Sequence, residues 1–247
     1  MSGLLGPLGI GRGDVVAVAG AGGKTTLIYR VAAEARRAGL RVLVTATTHM
    51  GTLPAATTGA VFVEADGDVP SGLERELARG GLATLLGRRV RPDKLEGVRP
   101  ERVDDLARCA DLVLVEADGA RGRSLKTPAE HEPVVPLSAT LLVVVAALDV
   151  LGQPLAEAHV HRLDRVAAAA GRAPGSAVDE DVVVAALREP SGYPSRAPPR
   201  ARAGVFLNKA EGKEALAAAG RIARRLVPPY AFVVAGSARD GWAQVMA

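Results

Sequence analysis

Aromatic side chains are scarce in this chain, with three Phe, three Tyr and one Trp among 247 residues. Base stacking therefore has few platforms, and the arginines are spread along the whole chain, so nucleic acid is not an expected partner. A single cysteine, Cys109, excludes an internal disulfide and a cysteine zinc cluster, and suits a reducing compartment. Its setting, Leu106-Ala107-Arg108-Cys109-Ala110 at the end of an expected helix, points to packing rather than reactivity. No apolar run approaches the ~20 residues that a membrane helix needs. The longest, Leu141 to Leu148, fits a buried parallel strand. Met1-Ser2-Gly3-Leu4-Leu5 has no basic residue ahead of its apolar ones, unlike a secretory signal. A cytoplasmic protein without membrane contact is expected. Lysine is also rare: 26 Arg stand against five Lys, at positions 24, 94, 126, 209 and 213. Where arginine fills the solvated cationic positions, a lysine that remains marks a place needing a compact ammonium.

The most informative segment that is present is Gly20-Ala21-Gly22-Gly23-Lys24-Thr25-Thr26. An apolar strand, Asp14 to Ala19, precedes it, and a helix-spaced run from Leu27 to Ala35, closed by Gly39, follows. Strand, glycine turn, Lys-Thr and helix together make a phosphate cradle. The glycines let backbone N–H groups turn inward, the helix start favours anions, Lys24 adds charge, and Thr25 offers a hydroxyl to Mg²⁺. The usual P-loop glycine six positions before the lysine is Val18 here, so this is a shortened variant beginning at Gly20. A dinucleotide fingerprint fits worse, because its third glycine would fall on Thr25. Lys24 is expected to stand exposed in the empty cradle.

Elsewhere strands and helices alternate, which predicts an α/β fold: a mainly parallel sheet with helices on both faces, in a three-layer, P-loop NTPase-like architecture. Helices are expected at 71–79, 100–110, 157–170, 179–189 and 212–226. His159 and His161 open the third of these and read as structural. The whole chain, 1–247, reads as one domain, with a mobile loop at 190–202 marked by prolines, glycine and serines. In such a sheet, ligands bind at the carboxyl ends of the strands.

Two further strand ends carry chemistry. Val113-Leu114-Val115 delivers Glu116-Ala117-Asp118-Gly119, and a carboxylate there suits Mg²⁺ or its water shell. Asp118, with Thr25, is taken as the metal ligand, and Glu116 and Asp118 share one side if the strand persists. The same pentapeptide occurs as Val63-Glu64-Ala65-Asp66-Gly67, behind a shorter apolar strand, and is set aside. Val205-Phe206-Leu207 leads into Asn208-Lys209-Ala210-Glu211, the order in which GTP-binding domains read guanine, with Glu211 one methylene longer than the expected aspartate. Ser237-Ala238 ends the last strand as the matching base loop does. GTP is favoured, and ATP stays open.

Between these motifs lies a long polar loop, Arg121 to Pro133, which contains Lys126, Glu130, His131 and Glu132. A charged loop this long is more often functional than not. Lys126 and His131 are read as candidates for catalysis or for holding a small substrate, and His49, after the second strand, as a sensor of the terminal phosphate.

The cradle, Thr45-Ala46-Thr47-Thr48-His49-Met50, Val115-Glu116-Ala117-Asp118-Gly119-Ala120, Lys126-Thr127-Pro128-Ala129-Glu130-His131-Glu132-Pro133 and Phe206-Leu207-Asn208-Lys209-Ala210, in this order, resemble the YqeC family. The resemblance implies an intracellular, NTPase-like accessory protein for selenium-dependent molybdenum hydroxylases, linked to selenium cofactor biosynthesis. It implies a molybdenum enzyme or its cofactor as partner, and a homodimer is left open. Ala46 and Glu211 depart from the family pattern. Two classes of function follow. One is a Mg²⁺-dependent GTP- or ATP-hydrolysing maturation factor. The other is an ATP-dependent kinase or ligase whose small substrate sits in the Lys126–Glu132 loop.

Overall fold

The computed structural model describes residues 3–49, 59–64, 70, 72–91 and 94–247. Met50 and Asp66 lie outside the described residues. Among the described residues thirteen strands occur: β1 (Val15–Gly20), β2 (Val42–Ala46), β3 (Ala60–Val63), β4 (Leu82–Leu86), β5 (Arg89–Arg91), β6 (Lys94–Leu95), β7 (Leu112–Glu116), β8 (Leu125–Lys126), β9 (Leu141–Ala147), β10 (Val160–His161), β11 (Arg202–Asn208), β12 (Phe232–Ser237) and β13 (Trp242–Val245). The helices are α1 (Leu5–Leu8), α2 (Lys24–Arg37), α3 (Leu73–Gly80), α4 (Pro100–Leu106), α5 (Leu163–Ala170), α6 (Glu180–Arg188) and α7 (Lys213–Leu226).

Nine of the strands form one sheet in the order β13-β12-β11-β9-β1-β7-β2-β4-β3, parallel except for β13 against β12. The α/β class and the helices on both faces are as the alternation predicts. Continuous apolar runs form the central strands because both of their faces are covered. Side chains alternate across each strand. Val15, Ala17 and Ala19 of β1 thus join Val113 and Val115 in the core that α5, α6 and α7 cover. Val16 and Val18 join Leu112 and Leu114 beneath α1 and α2.

Three expectations need correction. His159 and His161 do not open a helix. Val160–His161 pairs in parallel with Leu125–Lys126, and Arg162 takes a left-handed φ of 62°, so α5 begins only at Leu163. The helix expected over 100–110 stops at Leu106.

The third concerns 190–202, read as a mobile loop. It contains a 3₁₀ turn, Tyr193–Arg196, whose Tyr193 side chain is wholly buried in the α5–α7 core. Its hydroxyl lies 3.4 Å from Asp118 Oδ2. Proline and glycine mark irregular backbone, but the buried aromatic decides that this backbone is pinned. Tyr193→Ala is expected to cost about 3–5 kcal/mol, as for large-to-small changes in a packed core. Urea unfolding measures it, and a cost within ~0.5 kcal/mol, the usual range for surface sites, would return the segment to a solvated loop.

Candidate functional site

The cradle forms where β1 gives way to α2. Gly20, Gly22 and Gly23 have φ of 97°, 86° and 122°, values open to glycine at little cost. A Cβ on Gly20 would also run into the Val145 carbonyl of β9. The N–H of Ala21 bonds that carbonyl at 2.8 Å, which fastens the loop to the sheet. Leu27 is the first residue of α2 whose N–H finds a backbone acceptor, Gly23 O at 2.9 Å. The N–H groups of Lys24, Thr25 and Thr26 precede it, with no acceptor among the described residues. A helix start of this kind favours an anion through its free donors and its dipole.

Lys24 is not exposed. It is buried at 5% exposure, and its Nζ donates to Gly20 O at 2.8 Å while lying 3.2 Å from Asp118 Oδ1. Asp118 is wholly buried, which corrects its reading as the metal ligand. The Gly20 N–H lies 3.1 Å from each of its carboxylate oxygens, and Lys126 Nζ approaches Oδ2 at 2.9 Å. β7 ends at Glu116, so Asp118 falls off the pleat and turns under the loop rather than toward it.

Lys126 is buried as well, and its ammonium also donates to Gly119 O at 2.7 Å and pairs with Glu132 Oε2 at 2.9 Å. It braces the polar loop from inside and has no room to hold a substrate. Glu132 in turn accepts from Arg162 at 2.9 Å. Burial opposes ionisation of Glu132, but Lys126 and Arg162 outweigh it and hold the carboxyl below its ordinary value. His131 is exposed and lies outside the cleft described below, a correction to its place in the site.

Glu116 is the carboxylate that faces the cradle. Its Oε2 accepts from Thr25 Oγ1 at 2.8 Å, and its Oε1 lies 3.9 Å from Lys24 Nζ. Burial raises its pKa, with Lys24 and Thr25 pulling the other way. A hydroxyl and a carboxylate side by side at the phosphate end form the oxygen-only donor pair that suits Mg²⁺. Glu64, in the duplicated pentapeptide, is instead paired with Arg102 at 3.0 Å.

On the other side of the cradle, Asn208 at the end of β11 donates from Nδ2 to Gly22 O at 2.7 Å and accepts from Ala238 N–H at 2.9 Å. It thus ties the phosphate loop to the loop after β12. Lys209 takes a left-handed φ of 57° and pairs with Asp149 at 2.5 Å. Ser237 Oγ donates to Asp240 Oδ2 at 2.7 Å and lies 3.2 Å from Glu211 Oε1. Asn208 and the Glu211–Ser237 pair thus stand on one side of the cradle, while Lys209 is engaged with Asp149.

A cleft of about 830 Å³ opens on the opposite side, lined by Thr25, His49, Glu116, Arg123, His161 and Arg162 among others. His49 is exposed at this cleft. Burial, then Lys126 and Arg162, lower the pKa of His161, so its imidazole is neutral at physiological pH. The sequence marks His161 only as a structural residue and Arg162 not at all, because β10 reaches β8 from thirty-five residues away. No local periodicity announces a two-residue ladder.

A family profile described as YqeC protein matches residues 16–164. A protein of Escherichia coli (strain K12), named "Uncharacterized protein YqeC", is 33% identical over 200 residues, which are 80% of this chain and 77% of that one. Among solved structures, chloroplast FtsY from Physcomitrella patens is 17% identical with a TM-score of 0.46, over 96% of this chain and 63% of that chain. The match thus spans less than two thirds of the FtsY chain. Hydrogenase maturation factor HypB from Archaeoglobus fulgidus is 14% identical with a TM-score of 0.41, over 92% of this chain and 83% of that chain.

The two strand-end carboxylates are expected to respond oppositely to neutralisation. A carboxyl raised by folding contributes stability that is complete below its unfolded value of ~4.3 and lost as pH rises through the folded value. At neutral pH ionised Glu116 is a net cost to the empty chain. Glu116→Gln is expected to raise the melting temperature at neutral pH and change it little near pH ~4. Asp118→Asn leaves two buried ammoniums without their shared charge, and should cost about 3–5 kcal/mol in urea unfolding. The same sign for both variants would overturn this division of roles.

Proposed function

The chain belongs to the YqeC family, and from that premise and the geometry of its cradle we propose that it binds and hydrolyses a Mg²⁺-bound nucleoside triphosphate. In this reading it prefers GTP to ATP and serves the maturation of a selenium-dependent molybdenum hydroxylase. One observation carries the triphosphate: the glycine loop hands free N–H donors, Lys24 and the Thr25–Glu116 pair to the same end of α2. Thr25 and Glu116 would hold the metal, which supplies charge neutralisation at the terminal phosphates. The helix start and Lys24 would hold the β- and γ-phosphates, with Lys24 leaving Gly20 O and Asp118 to do so. His49 is the group at the cleft that would contact the terminal phosphate.

Base preference rests on the other side. With both side-chain atoms engaged, Asn208 acts first as a fastener between loops, and the readout of guanine falls mainly to Glu211. Glu211 is half-exposed, and its neighbours Ser237 and Arg239 lie 3.2 and 3.5 Å from Oε1. A carboxylate there would accept from the N1–H and 2-amino group of guanine, both of which adenine lacks. The maturation role rests on the family resemblance. Its mark is slow hydrolysis by the chain alone and faster hydrolysis with the hydroxylase.

A kinase- or ligase-like reading on ATP is favoured by one feature, the arginine-lined cleft beside the cradle. It no longer draws on Lys126 and His131, which the structure turns away from that space.

Competition between GTP and ATP tests the base. Wild-type protein is expected to prefer GTP, by less than the ~10⁴ reached where a site built to hydrogen-bond a group meets an analogue lacking it. Glu211→Asp should sharpen the preference and Glu211→Ala should erase it. Equal binding of both nucleotides by all three proteins would favour the ATP reading.

A further inference from the structure

Sheet order separates the two sides of the cradle. Reading from β12, the strands run β12-β11-β9-β1-β7-β2. The proposed base loops follow β11 and β12, and the phosphate loop follows β1. The cleft is lined by segments that follow β2 and β7, beyond the phosphate loop, and closed by Glu157, Val160, His161 and Arg162 from the segment after β9. A triphosphate whose base lies over β11 and β12 would therefore point its terminal phosphate at the cleft. That volume is far larger than one attacking water requires.

The charges in the cleft are not balanced internally. Arg162 is committed to Glu132, and Glu116 to Thr25 and Lys24. Arg121 and Arg123 also line the cleft, and neither has a carboxylate partner among the described residues. Glu157 on the same wall supplies one negative charge against these two, and the nearby His161 is neutral.

Both arginines sit on a braced turn. Arg121 and Gly122 are left-handed, with φ of 49° and 73°, and the Arg123 N–H closes on Ala120 O at 3.0 Å. The next residue, Ser124, donates to His159 O and accepts from the Ala147 N–H, each at 2.9 Å. The turn is thus anchored to β9 and to the segment entering β10. Two guanidiniums on a fixed support present planar forks that match oxyanions in a bidentate manner.

We propose that this cleft is the site of a second reactant, held through a phosphate-type oxyanion by Arg121 and Arg123, next to the position of the triphosphate's terminal phosphate. The proposal rests on the triphosphate reading. It names the ligand by its head group: free phosphate or a small phosphomonoester.

Calorimetry on the full-length chain tests it, after saturation with Mg²⁺ and a non-hydrolysable triphosphate so that the cradle is filled. Inorganic phosphate and glycerol phosphate are then titrated separately. At least one should bind the wild type. Loss of two charge-assisted contacts in the Arg121→Ala, Arg123→Ala double variant should weaken that binding at least ~10-fold. Triphosphate affinity of the double variant should stay within about twofold, because neither arginine belongs to the cradle. Tighter binding of glycerol phosphate would identify an esterified ligand, and tighter binding of phosphate a free oxyanion. Failure of both anions to bind, or equal binding by the variant, would overturn the proposal. A parallel loss of triphosphate affinity would also overturn it, by assigning the arginines to the triphosphate's own phosphates. A wild type that binds no triphosphate would remove the reading beneath it as well, and is seen in the first titration.

Discussion

The carboxylate of Asp118 is the contact on which the site depends. It is fully buried, yet it receives the Gly20 N–H and lies against the ammoniums of Lys24 and Lys126 and the Tyr193 hydroxyl. Four parts of the chain meet there: the glycine loop, the end of β7, the polar loop, and the 3₁₀ turn after α6. Burying charge is costly, and a buried pair is at best weak evidence for stability over an apolar equivalent. Its value here is positional. Removing any one partner strands another, so the loop, the turn and the polar segment hold their relative places together.

This constraint explains why the two strand-end carboxylates differ. Glu116 is the last residue of β7 and keeps the pleat, which points it at Thr25. Two residues later the strand has ended, and Asp118 serves the underside of the same loop. One carboxylate is structural and stabilised by cations. The other is pressed toward protonation by burial and carries a cost in the empty chain, as groups kept for binding often do.

The parts of this arrangement legible in the sequence were those written locally. The strand–glycine–Lys-Thr–helix run announced the cradle, and the apolar runs announced β1, β7, β9 and β11. Asn208, Lys209, Glu211 and Ser237 were likewise visible as strand-end motifs; Asn208 bonds Ala238 and Ser237 meets Glu211, while Lys209 pairs with Asp149. What could not be read was set by distant pairing. Lys126 and His131 stand in the same conspicuous loop, but Lys126 is drawn inward by Asp118 and Glu132 while His131 is left at the surface. His161 and Arg162 reach the cleft through β10, and Tyr193 lies among prolines that signal only a break in regular structure.

The same ion pairs impose a cost on ligand binding. In the empty chain Lys24 is already satisfied by Gly20 O and Asp118. A triphosphate bound as proposed would have to offer Lys24 more than that, and its apparent affinity would fall by the fraction of time the lysine spends folded back. If Lys24 leaves, Asp118 keeps Lys126, whose ammonium is shared with Glu132, whose carboxylate is shared with Arg162 at the cleft. This chain of contacts is contiguous, and its members Lys24, Asp118 and Lys126 are buried. It runs from the phosphate loop to Arg162 without passing through the base side, so an effect of triphosphate on the cleft would not depend on which base the nucleotide carries.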